Sequence, residues 1–149
     1  MSRAIFYFRL LIPLSLLACG KSTPNDAFLI SAVEQRLNLL NNPESYLREA
    51  AIKQLPDKER MSAIVNGCKI LNCNYKRTEV IRRGKVIKSN EGVSQKFMVR
   101  IKGSATLHFL YTPSANWLEN KMVQRDIDIA NEEEFTAYTD AYGQWQVRR

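Results

Sequence analysis

An α+β fold in one domain is what this sequence predicts, on three observations. Apolar residues recur at helical spacing between residues 29 and 55, the period changes to alternation beyond residue 75, and neither half contains a repeat or a low-complexity stretch. Helices followed by antiparallel strands imply N-terminal helices packed on a curved antiparallel sheet of about five or six strands. The expected organisation is an export signal over residues 1–18, a tether over 19–24 and a single domain over 25–149.

Each element has a local signature. Thr23-Pro24-Asn25-Asp26 offers a hydroxyl cap, a proline at the first helical position and an acid in the first turn. Leu29, Ile30, Val33, Leu37 and Leu40 then form one apolar stripe. Asn41-Asn42-Pro43 ends that helix and opens a second, with Leu47, Ala51 and Leu55 on its inner face before Pro56. A third helix is expected from Asp57 to Asn66, carrying Met61, Ile64 and Val65 and closing at Gly67. Tyr75 to Arg82 and Lys85 to Ser89 read as two strands of a hairpin across Arg83-Gly84. Gln95 to Lys102 turns Phe97, Val99 and Ile101 to one face, and Gly103 reads as a bend. Ser104 to Thr112 turns Ala105, Leu107, Phe109 and Tyr111 inward until Pro113 stops it. A loop with a helical turn at Trp117 leads to a strand from Lys121 to Ile129. Glu132-Glu133-Glu134 could open a helix, but the aromatic and β-branched residues after it, with Asp140-Ala141-Tyr142-Gly143 as the turn, favour a hairpin.

The first nineteen residues carry the most specific signal. Arg3 and Arg9 precede an apolar run from Leu10 to Leu17, which stops at Ala18-Cys19-Gly20. Arg9 leaves eight apolar positions after it, too few for a spanning helix. A small residue followed directly by cysteine resembles the lipobox of bacterial lipoproteins. The resemblance implies cleavage before Cys19, lipid on its thiol and acylation of the new N-terminus, enough acyl chains to hold the protein stably at a membrane. Gly rather than Asp at position 20 implies passage to the outer membrane, facing the periplasm. The order of helices and strands, with the closing pattern from Tyr138 to Trp145 and Val147, resembles the nuclear-transport-factor-like or cystatin-like superfamily. That resemblance implies a sheet around the first helix and a cavity between sheet and helices.

Charge and cysteines bound the function. Of the formal +7, Arg3 and Arg9 supply two, so the mature chain carries +5 and favours anionic surfaces without naming one. Export argues against nucleic acid as a partner. With Cys19 assigned to lipid, Cys68 and Cys73 remain as an even pair, which an oxidising compartment would bridge into a local staple of about 2 kcal/mol. The competing reading takes Cys68, Cys73 and His108 as metal ligands, but structural zinc wants four ligands in tight pairs, so no metal or cofactor is expected. Nine basic residues between Asn74 and Gly103 face seven acids between Glu119 and Asp140. Pairing across the sheet explains this, and the sharper reading is a basic docking face at Arg82, Arg83 and Lys85.

Catalysis finds little footing. His108 is the only histidine and faces away from Leu107 and Phe109, no serine sits in a nucleophile elbow, and Asp126 with Asp128 reads as an exposed alternating pair. The expected function is therefore a lipid-anchored, non-catalytic binding or assembly module, or inhibitor, for another envelope protein. The alternative is a carrier of a small apolar ligand, or an enzyme, using a cavity between sheet and helices.

Overall fold

In the computed structural model, which describes residues 22–113 and 117–149, three helices precede a four-stranded antiparallel sheet. The signal segment and Cys19 lie outside the described residues, as does the side chain of Trp117. Helix α1 (Asp26–Arg36) is capped by Asn25, whose Oδ1 accepts the Phe28 N–H at 2.8 Å. Thr23 is not the cap, because Ser22 to Pro24 lies along the domain: Pro24 is buried, its carbonyl accepts from Arg83 at 2.7 Å, and Trp145 Nε1 donates to the Ser22 carbonyl at 3.1 Å. The tether expected over 19–24 is thus bound to the domain from Ser22 onward.

The apolar stripe of α1 also ends earlier than its spacing predicts. Asn38 adopts φ +54°, the Leu39 N–H reaches the Glu34 carbonyl and the Asn38 N–H reaches that of Gln35, which together form a Schellman cap. The reversal sends Leu39 into the core and leaves Leu40 outside. Helix α2 (Glu44–Gln54) buries Leu47 and Ala51 as expected, with Tyr46 and Ala50 beside them and Leu55 just past its end. Helix α3 (Asp57–Val65) has the expected extent and turns its small residues inward. Ser62 and Ala63 are buried, while Met61, Ile64 and Val65 are 58%, 61% and 74% exposed. Helical spacing defines a face without saying which side of it is covered, and the small residues allow closer approach to the sheet.

The strands are fewer and longer than the sequence predicts. β1 (Cys68–Ser89) runs through Arg83-Gly84 without a hairpin, absorbing the glycine in one of four register irregularities, and turns at Asn90-Glu91 into β2 (Gly92–Tyr111). β2 in turn runs straight through Gly103. A Cβ there would lie 2.8 Å from the Asn74 carbonyl oxygen and 2.9 Å from Leu47 Cδ2, so this glycine admits α2 against the sheet and does not mark a bend. A 3-10 turn at Trp117–Glu119 precedes β3 (Lys121–Thr139), which carries Glu132 to Glu134 as strand and closes through the Asp140–Gly143 turn on β4 (Trp145–Arg148). Continuous strands read as broken pieces account for the larger number expected.

Sheet order follows chain order, β1-β2-β3-β4. Phe97, Val99, Ile101, Ala105, Leu107 and Phe109 on β2 face the helices, and the Phe97 ring packs on Phe135 of β3 with centroids 5.9 Å apart. α2 lies across β1, β2 and β3, α3 packs on β2, and α1 touches both outer strands, β1 and β4. The molecule therefore has two distinct ends. Ser22, Trp145 and the β1–β2 turn share one, while α3 and the β2–β3 connection occupy the other.

Candidate functional site

The basic triplet from the sequence does not form one face. Arg82 is exposed on the solvent side of the sheet near Glu134. Arg83 turns to the helix side, where it clasps Asp26 (Nε to Oδ1, 2.9 Å) and the Pro24 carbonyl. Lys85 is exposed at a register irregularity. The surrounding charges answer one another across the strands: Lys96 meets Glu134 at 2.9 Å, Arg100 meets Glu132 at 2.5 Å, and Lys102 meets Glu79 at 3.2 Å. Hydrogen bonds from Lys102 and Lys96 hold Glu79 and Glu134 below the ordinary carboxylate range. Thr106 donates to Asp126 at 2.7 Å and Lys76 reaches Asp128 at 3.4 Å, so the two aspartates occupy ordinary cross-strand contacts on the solvent side.

Cys68 and Cys73 are not a disulfide; both are free thiols. They lie on one strand, paired with Phe109 and Ala105 of β2, with Ile70 between them on the same side of the sheet. Four residues of β2 span about 14 Å, well beyond the ~7 Å limit between bridged Cα atoms. Spacing in the sequence suggested a loop, and the strand holds the residues apart. Burial against the helix layer pushes both thiols up, away from reactivity. His108 faces the other side of the sheet, and no group of three metal-ligating side chains exists among the described residues.

A buried polar network marks the α2–β3 seam. Tyr46 donates to Glu133 Oε1 at 2.9 Å, Asn131 donates to both the tyrosine oxygen and Glu133, and Arg149 lies 2.8 Å from Glu133 Oε2. Burial keeps the Tyr46 phenol protonated far above its usual range. The network satisfies its own donors and joins helix to sheet.

An apolar groove lies at the α3 end. It is lined by Asp57, Met61, Val65, Asn66, Thr112 and Pro113, joined by Lys58 and Ser62, and is an open groove of about 410 Å³. The sequence builds it by leaving the apolar side of α3 uncovered while pinning the helix with polar side chains. Ser62 Oγ accepts the Thr112 N–H at 3.1 Å, and Asn66 Nδ2 donates to the Leu110 carbonyl and to Thr112 Oγ1, each at 2.9 Å. Arg125 fixes Glu59 from β3 at 2.9 Å and 2.5 Å. Apolar side chains gathered at one end of a domain mark an interaction site more often than a random surface. The sequence places Met61, Ile64 and Val65 on this helix without saying whether they are covered, and nothing in their spacing distinguishes a covered stripe from a bare one. No protein-family model matches the chain, and no curated protein matches it either.

Proposed function

We propose that this chain is a lipid-anchored protein of the bacterial cell envelope, fastened through Cys19 to the outer membrane and facing the periplasm. Its domain acts as a non-catalytic binding or assembly module, or inhibitor, for another envelope protein. The observation that carries the binding role is the cleft beside α3, a concave apolar site at the end remote from Ser22, where the tether leaves. A bilayer-fastened domain of this shape presents that cleft outward. The contact of α1 with both outer strands supports the likeness to the nuclear-transport-factor-like or cystatin-like superfamily. Where a carrier or enzyme of that architecture would hold its ligand, this chain packs Leu29, Val33, Leu47, Phe97, Phe109 and Phe135, none more than 2% exposed, which favours binding at the surface. No described helix is long and apolar enough to cross a membrane.

The test has two parts. Mass spectrometry of protein isolated from envelopes should find a mature N-terminus at Cys19 bearing diacylglycerol; an unmodified cysteine or a cut elsewhere contradicts the anchor. A photocrosslinker at Met61 should capture a protein in living cells, whereas one at Ile87, exposed near the β1–β2 turn, should not. Equal capture at both positions, or none at either, contradicts the docking site.

A further inference from the structure

We infer that the end of the domain nearest Cys19 is itself a membrane contact, an aromatic and basic face that settles among the headgroups of the bilayer holding the anchor. This inference rests on the lipid anchor proposed above. Three observations carry it. First, only Gly20 and Lys21 separate Ser22 from Cys19, and three Cα steps span at most roughly 11 Å. Ser22 to Pro24 cannot lengthen that reach, because Trp145 Nε1 holds the Ser22 carbonyl, Arg83 holds the Pro24 carbonyl, and Pro24 is buried. The anchor therefore brings this end of the domain to the membrane surface.

Second, aromatic side chains gather where the chain leaves the domain. Trp145, whose indole N–H marks that point, is half-buried and lines a groove with Phe28 of α1, itself 39% exposed. Tyr142, in the β3–β4 turn just before Trp145, is 90% exposed, the most of any large hydrophobic side chain described. A ring with a polar tip suits the boundary between water and hydrocarbon.

Third, the charge here fits anionic headgroups. Lys88 stands opposite Val93, whose N–H donates to Thr139 Oγ1 at 3.0 Å, and Thr139 pairs with Trp145, so the lysine shares the side of the sheet from which the chain departs. It makes no ion pair among the described residues, and Lys21 adds a second cation next to the anchor. Of the acids at this end, Asp26 is paired with Arg83, and Asp140 accepts the Tyr142 and Gln144 N–H groups. Glu91 shares a hollow with Arg148, which offsets it. The remaining balance is basic. Ile87 faces the other side of the sheet, opposite Ser94, and stays in water.

The experiment uses the mature chain purified from envelopes with its anchor and reconstituted into phosphatidylethanolamine vesicles containing about one-quarter phosphatidylglycerol. A bimane probe is attached at Ala141→Cys, beside Tyr142, or at Val65→Cys on α3, each on a Cys68→Ala, Cys73→Ala background, and quenching by headgroup-nitroxide lipid is measured. Quenching at position 141 should be about threefold that at position 65, and Tyr142→Ala with Lys88→Glu should lower it about twofold. Both replaced side chains are exposed, and circular dichroism checks the fold of the variant. Equal quenching at the two positions, with the protein floating on the vesicles, overturns the contact while leaving the anchor standing. Undiminished quenching in the variant means that a passive tether sets the distance, and it overturns the inference as well. Failure of the unaltered protein to float with the vesicles overturns both readings.

Discussion

Gly103 and Leu47 meet where α2 crosses the middle of β2, and the contact leaves no room for a methyl group. Gly103→Ala should destabilise the domain by about 1–3 kcal/mol and Leu47→Ala by about 2–5 kcal/mol, as measured by urea denaturation. Midpoints matching the parent would remove this contact from the account. Tyr75 offers a pH-dependent test. Burial first, then its hydrogen bond to Glu34, pushes its hydroxyl up to about 12 from an ordinary 10, while a contact with Thr78 Oγ1 at 2.8 Å opposes them. The folded state therefore holds a proton that the unfolded chain releases. The associated stability is complete below pH 10 and is lost as pH rises from there to about 12. Tyr75→Phe should flatten that decline, although Tyr46 keeps a share of it. An unchanged slope would show that Tyr75 is not the group responsible. Free Cys68 and Cys73 give a third residue-scale expectation: denatured, unreduced mature protein should titrate two thiols, and none would restore the disulfide.

At the scale of elements, the strands that alternate cleanly were readable to the residue. Phe97, Val99, Ile101, Leu107 and Phe109 all point inward as their spacing requires, and Asp140 to Gly143 forms the closing turn. What sequence misjudged was continuity. Gly84 and Gly103 look like punctuation, yet one sits in a register irregularity and the other in a close helix–sheet contact, both set by partners distant in the chain. Asn38 ended α1 early because an asparagine took the left-handed cap usually given to glycine. The bare side of α3 was invisible for the same reason, since burial depends on which surface the sheet offers. Its consequence can be measured: Met61→Asp or Val65→Asp should change stability by no more than about 0.5 kcal/mol while abolishing partner capture. A loss of several kcal/mol would mean that the side chains are covered after all.

Considered whole, the molecule has two distinct ends on one long sheet, and the proposed function gives each its own task. Ser22 and Trp145 mark one end, and α3 with Pro113 forms the other, where the proposed partner would dock. The solvent side of the sheet between them is balanced by its own ion pairs and needs no ligand to explain its charge. The proposed location rests on sequence alone, on a lipobox-like pattern that fixes residue types at adjacent positions; the exposed side of α3 was not legible, because a few apolar residues on a short helix have no unique meaning until the fold exposes them. The most direct measurement is cysteine footprinting of α3 in intact envelopes and in purified protein, using Met61→Cys and Val65→Cys with Ile87→Cys as the reference, all on a Cys68→Ala, Cys73→Ala background. The account predicts that positions 61 and 65 are shielded from a maleimide in the envelope and reactive when purified, while position 87 reacts equally in both. Equal reactivity of positions 61 and 65 in the two settings would contradict it.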